Sequence, residues 1–196
     1  HLASRRQRQM CIRDSYSSML DLGTEIVPFK LLNVLTNENF SSNNLDHNKS
    51  SLIMFICNHC PYVIHYHEQI KILASEYADA INLVAISSND VVNYPEDSPE
   101  KMNQLWSRLG LKFPYLFDES QEVAKKYKAE CTPEFYLFNL DKKLVYRGRM
   151  DDSSPGSNVD PSGRDLRLAI DNLINNKKIS EEQYPSMGCN IKWKTS

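Results

Sequence analysis

The chain lacks any apolar stretch long enough for a membrane-crossing helix. Its longest candidate, Leu52 to Cys57, falls far short of the roughly 18 uncharged residues such a span needs, so a soluble protein is expected. Charge of one sign is missing too: 23 Lys and Arg against 25 Asp and Glu give a net charge of −2, with no basic patch suited to nucleic acid. Glycine and proline, at 6 and 9 residues, do not reach the excess that marks fibrous or disordered chains. Cysteine is sparse, and its five residues are too widely spread for a small secreted disulfide scaffold. What remains is an ordinary globular composition of 196 residues, long enough to bury about 70% of its unfolded surface around one core. One domain is the default expectation.

The first fourteen residues differ from the rest, with Arg5, Arg6, Arg8 and Arg13 against Asp14 and no apolar periodicity. A secretory signal would follow such charges with an apolar stretch and a small-residue cleavage site, and neither is there. Residues 6–15 read as adaptor sequence fused to a gene that initiates near Met19. Residues 1–18 are therefore taken as a non-native or disordered lead-in, and 19–196 as a single domain. Setting the lead-in aside removes a net +3, leaves a body of about −5, and drops Cys11 from the cysteine count. With no export signal visible, a cytoplasmic location is expected, where a CxxC pair is usually catalytic or metal-binding.

Strand and helix patterns alternate along the body. Phe29 to Leu35 reads as a first strand, followed by a polar stretch to Ser51 that holds a hairpin or an irregular loop. Leu52 to Ile56 is a continuous apolar run, as expected of a central strand covered on both faces. Val63, Tyr66, Ile70, Leu73 and Tyr77 then form a helical stripe, with Pro61 suited to the first turn. Ile81 to Ile86 is a second buried strand, and Ser98-Pro99 begins a helix that Gly110 stops. A short strand at Phe113 to Phe117, a helix at Gln121 to Lys128, a hairpin of Glu134 to Leu140 with Lys143 to Arg149, and a last helix through Leu166 and Ile174 complete the pattern. The tail from Tyr184 onward has no clear period. The order predicts an α/β domain of three layers around a mixed sheet.

Cys57-Asn58-His59-Cys60 stands where the central strand ends and the helix begins. Two thiols at this spacing can close and reopen a small disulfide. The attacking species is the thiolate, so one thiol must ionise more readily than the usual value of about 8.5 allows. Unpaired N–H groups and the positive end of the helix dipole are expected to supply this at Cys57. His59, inside the ring that the disulfide closes, adds charge when protonated. Cys60, placed one turn further into the helix, is suited to resolving a mixed disulfide. A structural zinc site would want a second paired ligand set, and Cys131 and Cys189 do not form one. His65 and His67 read as ordinary helix residues. Cys131 is either a third redox thiol or a buried small hydrophobe. Cys189 is either an extra resolving thiol or, with Trp193, a tail anchor. Asp90 and Glu134 are candidates for assisting proton transfer, with solvated loop charge as the default for both. Arg147, Arg149, Asp151 and Asp152 read as a surface charge cluster.

Three separated motifs carry a resemblance: Phe55-Ile56-Cys57-Asn58-His59-Cys60-Pro61-Tyr62-Val63, Thr132-Pro133 ahead of a strand, and Gly188-Cys189-Asn190-Ile191-Lys192-Trp193-Lys194. Together, over about Asp21 to Lys194, they resemble the peroxiredoxin-like branch of the thioredoxin/redoxin superfamily, of the alkyl hydroperoxide reductase and thiol-specific antioxidant type. The resemblance implies a thioredoxin-like three-layer α/β/α fold with a central mixed sheet. It also implies a cis-proline at Pro133 beside the redox cysteines, with Thr132 and Asn58 as substrate contacts. Peroxidases of this superfamily typically carry a threonine three positions before the attacking cysteine and an arginine in place of the cis-proline. Here those positions hold Cys57 and Thr132-Pro133. Both departures favour disulfide exchange, with Cys57 attacking and Cys60 resolving. Peroxide reduction is the alternative, because a low-pKa thiolate forms a sulfenic acid that a neighbouring thiol resolves. A copper- or zinc-binding redoxin without turnover is a second alternative. The implied partners are protein or small-molecule disulfides or hydroperoxides and a thiol-based electron donor. No cofactor, resident metal, nucleic acid or membrane is expected.

Overall fold

In a computed structural model that describes residues 14–195, the chain runs through Asp14–Tyr16 (β1), Lys30–Asn33 (β2), Glu38–Ser41 (β3), Ser50–Phe55 (β4), Pro61–His65 (α1) and His67–Tyr77 (α2). It continues through Ile81–Ser87 (β5), Pro99–Leu109 (α3), Tyr115–Phe117 (β6), Glu122–Lys126 (α4) and Cys131–Thr132 (β7). Glu134–Phe138 (β8), Leu144–Gly148 (β9), Arg164–Ile174 (α5) and Met187–Asn190 (β10) complete it. A seven-stranded sheet has the order β3-β2-β6-β5-β4-β8-β9, and a smaller one has the order β1-β10-β7. Strand β4 pairs in parallel with β5 and antiparallel with β8, so the continuous apolar run lies at the centre of a mixed sheet.

Alternate residues of these strands point to two separate cores, the consequence of a side-chain period of two. Leu52, Met54, Phe135 and Leu137 pack on one face with α1, α2, α3 and α5, which contribute Val63, Ile70, Trp106 and Ile170. Ile53, Phe55, Tyr136 and Phe138 pack on the other with Val123 and Ala124 of α4 and with Leu20 and Phe29. The three layers expected from the sequence are therefore present. No helix among the described residues is long and apolar enough to cross a membrane.

Local chemistry changes the expected pattern in three places. The helix after the dithiol is two helices, interrupted at Tyr66 (φ −99°, ψ 5°), whose hydroxyl donates to Asp151 Oδ1 at 2.7 Å and to the Ser153 carbonyl at 2.9 Å. The residue before a proline is pushed out of helical geometry, so α1 cannot begin before Pro61, and Cys60 (φ −68°, ψ 123°) is its N-cap. Both thiols thus stand in the bend ahead of the helix, and Cys60 is not a turn inside it. Finally, the tail without a period contains β10, a strand too short for alternation to show.

Strand β10 also corrects the expected boundary at Met19. It pairs with β1 in the register Asp14↔Cys189 and Tyr16↔Met187, and the Ser17 amide donates to the Ser186 carbonyl at 3.1 Å. Residues 14–18 belong to the folded unit. Residues 1–13, including Cys11, lie outside the described residues.

On its other side β10 pairs with β7, with Cys189 opposite Thr132. This approach depends on Gly188, where an added Cβ would come 2.0 Å from the Thr132 carbonyl oxygen and 2.7 Å from its carbon. Gly188→Ala is expected to destabilise the protein by about 1–3 kcal/mol, the usual cost of overpacking against groups that cannot yield. The change is read as a lower urea midpoint at unchanged denaturant slope.

Candidate active site

The dithiol is enclosed by a strand end, a helix cap and the loop before β8. Cys57 and Cys60 are both buried, at 1% and 0% exposure, although they lie at the edge of the core. The Thr132-Pro133 peptide is cis, as the resemblance implies. Thr132 meets both thiols: its Oγ1 is 3.4 Å from Cys57 Sγ, and its carbonyl accepts a hydrogen bond from Cys60 Sγ at 3.2 Å.

The two thiols have opposite acid–base tendencies. Burial pushes the Cys57 thiol well up, and its hydrogen bond to Cys60 and the nearby Asp97 charge add to this, against the lowering influence of the Thr132 hydroxyl. Burial also raises Cys60, but hydrogen bonds from the Cys189 and Cys57 thiols and from the Val63 and Cys189 amides outweigh it. Cys60 is held well below the ordinary thiol range. The helix start is thus used at Cys60, the N-cap, and the lowering expected at Cys57 falls on Cys60 instead.

Asp97 is the residue that the sequence did not single out. It closes the 3-10 turn Pro95–Asp97, has no exposure, and accepts hydrogen bonds from the Asn58 amide at 2.7 Å and Asn89 Nδ2 at 2.8 Å. Its Oδ2 also lies 2.6 Å from His59 Nδ1. When protonated, the ring forms a charge pair with this carboxylate. Burial lowers the His59 pKa, but Asp97 and then Glu96 raise it further, and the net shift is upward. The ring stacks on Tyr94 at a centroid separation of 5.7 Å. Asn58 is fixed on its other side by the Tyr115 hydroxyl, which donates to Asn58 Oδ1 at 3.1 Å.

Cys57, His59 and Asp97 offer a sulfur, an imidazole nitrogen and a carboxylate oxygen within 4.8 Å of one another, donors that zinc or copper accepts. Neighbouring donors around a tetrahedral zinc with bonds near 2 Å stand about 3.3 Å apart. The separation of 2.6 Å between His59 and Asp97 is that of a charge pair instead.

The other predicted residues divide. Cys131 is buried, but its Sγ faces Glu134 Oε2 at 3.9 Å and the Ser186 carbonyl at 3.8 Å. Glu134 is also buried, not a solvated loop charge, and accepts from the Tyr136 hydroxyl at 2.7 Å. Burial raises its pKa to about 7 against the opposing hydrogen bonds. Asp90 is buried too, its carboxylate accepting from the Val92 amide and Asn93. His65 contacts Ser153 Oγ at 2.8 Å, and burial followed by the Arg108 charge lowers the His67 pKa. Asp151 is buried under six amide and hydroxyl donors, and Arg149 pairs with Asp165 at 2.7 Å, so these two belong to a built wall and not to a loose surface cluster. That wall, with Tyr16, Pro133 and Tyr184, borders a cleft of ≈ 270 Å³. Cys189 is within hydrogen-bond reach of Cys60.

Residues 22–162 match the Redoxin family. No curated protein sequence matches the chain. Among solved structures, an uncharacterized conserved protein of Geobacillus kaustophilus is 45% identical, with a TM-score of 0.91, over 94% of this chain and 98% of that one. A hypothetical protein of Sinorhizobium meliloti 1021 is 38% identical, with a TM-score of 0.90, over 93% and 100%. A secreted disulfide oxidoreductase of Mycobacterium tuberculosis, at 16% identity and a TM-score of 0.57 over 74% and 96%, shares the fold.

Replacing Asp97 by Asn removes the charge that raises both His59 and Cys57, so both pKa values are expected to fall, His59 being followed by NMR titration of its ring proton. In the wild type the pair's stabilisation is complete below the unfolded histidine pKa of about 6.5 and is lost as pH rises through the higher folded value. A His59 titration that Asp97→Asn leaves unmoved would remove the charge pair from the account.

Proposed function

The chain belongs to the Redoxin family, and on that premise we propose that it is a thiol:disulfide oxidoreductase cycling between the Cys57/Cys60 dithiol and its disulfide. The observation that carries this reading is the unequal pair set against Thr132-Pro133, with donors gathered on Cys60 and few on Cys57. In the oxidised protein, a substrate thiolate attacks Cys57 Sγ, the Cys57–Cys60 bond breaks, and Cys60 departs as a stabilised thiolate. A leaving thiol of lower pKa departs faster. In the other direction Cys57, after passing its proton to Cys60, attacks one sulfur of a substrate disulfide, whose S–S bond breaks and releases the first substrate thiolate. Cys60 then gives that proton up and attacks Cys57 Sγ, releasing the second substrate thiol.

Stabilising the Cys60 thiolate stabilises the reduced protein, and this makes a dithiol a stronger oxidant. The substrates suited to this chemistry are protein or small-molecule disulfides and thiols, with a thiol-based donor closing the cycle. Support for the exchange reading over peroxide reduction comes from the Thr132-Pro133 loop, whose threonine contacts both thiols and whose cis-proline stands where the peroxidases carry an arginine.

Cys60→Ser is expected to leave Cys57 in stable mixed disulfides that mass spectrometry identifies, while Cys57→Ser reduces insulin at background rate. Capture of partners only through Cys60 or Cys189 would reverse the assigned roles. Hydroperoxide consumption far exceeding insulin reduction would favour the peroxidase. Stoichiometric metal blocking both thiols in protein purified without chelator would replace exchange by metal carriage.

A further inference from the structure

The proposed cycle uses two thiols, yet the sulfur of Cys60 has two other thiols as hydrogen-bond partners. Cys57 and Cys189 are both hydrogen-bond partners of Cys60 Sγ, and the Cys189 backbone amide donates to the same sulfur. This placement is built into the fold by several independent contacts. Strand β10 is held between β1 and β7, with Cys189 opposite Thr132, whose carbonyl accepts from Cys60 at 3.2 Å. Gly188 allows that close approach, because any side chain there would collide with the Thr132 carbonyl. Beyond Cys189 the chain is tied down by the Ile191 amide to the Glu130 carbonyl at 2.9 Å and by the Lys192 amide to Asn89 Oδ1 at 2.9 Å. All three cysteines are buried in one core cluster. Cys131, by contrast, has its sulfur turned to Glu134 and Ser186.

Thiol–disulfide exchange requires a thiolate beside one sulfur of an existing disulfide, and here Cys60 is the shared sulfur. We infer that Cys189 is a third redox thiol, and that the oxidised protein partitions its disulfide between Cys57–Cys60 and Cys60–Cys189. In the step, the Cys189 thiolate attacks Cys60 Sγ. The Cys60–Cys189 bond forms, the Cys57–Cys60 bond breaks, and the electron pair leaves on Cys57 as a thiolate. The proton lost by Cys189 is matched by the one Cys57 can take up, so the exchange is redox-neutral and needs no further oxidant. Its consequence is separation of tasks. The oxidising equivalent moves to the Cys60–Cys189 pair, while Cys57 is returned to the reduced state beside Thr132.

This inference rests on the dithiol reading, and one experiment separates their failures. The full chain and its Cys57→Ser, Cys189→Ser and Cys131→Ser variants are oxidised in glutathione buffers, quenched with acid, alkylated and mapped as peptides. Wild type is expected to yield both Cys57–Cys60 and Cys60–Cys189 peptides. Cys57→Ser is expected to yield Cys60–Cys189 with loss of alkylation at Cys189, Cys189→Ser only Cys57–Cys60, and Cys131→Ser the wild-type pair. Wild type forming Cys57–Cys60 alone at every buffer ratio overturns the relay and leaves the dithiol intact, a result that holds even where Cys57→Ser does not fold. Full alkylation of Cys60 and Cys189 in folded Cys57→Ser also overturns the relay, as does pairing of Cys60 with Cys131. Absence of any Cys57–Cys60 peptide from wild type and from Cys189→Ser overturns the dithiol reading itself.

Discussion

Thr132 is the constraint on which the site depends. Its hydroxyl reaches Cys57, its carbonyl reaches Cys60, and its backbone pairs with Cys189 on the tail strand. One residue therefore ties together the end of the central strand, the cap of α1 and a segment more than fifty positions further along the chain. The cis peptide to Pro133 is the local geometry in which these contacts are made. Because β8 follows at once and lies against β4, the loop is fixed to the same strand that delivers Cys57.

Electrostatics then distinguish two thiols that the sequence presents as equals. Proline at position 61 sets the helix start, and the helix start sets which sulfur meets unpaired amides. Cys60 gains donors from Cys57, Cys189 and Val63, while burial, the hydrogen bond to Cys60 and the Asp97 charge raise Cys57. Asp97 would be costly where it lies without partners, and its contacts with Asn58, Asn89 and His59 offset that cost. The result is one cysteine whose thiolate is favoured beside another whose thiolate is disfavoured.

Much of this was legible in the chain, for reasons that differ by element. The central strand shows as an uninterrupted apolar run because both faces of β4 are covered, and the helices show as stripes because each has one wet side. The redox pair and Thr132-Pro133 are compact motifs with fixed spacing. Asp97 was hidden because nothing local separates it from Glu96 beside it. Only the packing of the 3-10 turn under His59 buries one and exposes the other. The one available signal was Pro95 before it and the Ser98-Pro99 helix start after it, which together fix a rigid turn. The role of the tail was equally hidden, since the partners of β10, β1 and β7, are both far from it in the sequence.

The central claim is that Cys57 and Cys60 form a reversible couple whose reduced form is stabilised at Cys60. Equilibration of the purified protein with graded ratios of reduced and oxidised glutathione, quenched and scored by alkylation, tests it most directly. A two-electron transition is expected at a potential less negative than thioredoxin's value of about −270 mV. A transition at or below that value, or no reversible transition in these cysteines, would contradict it.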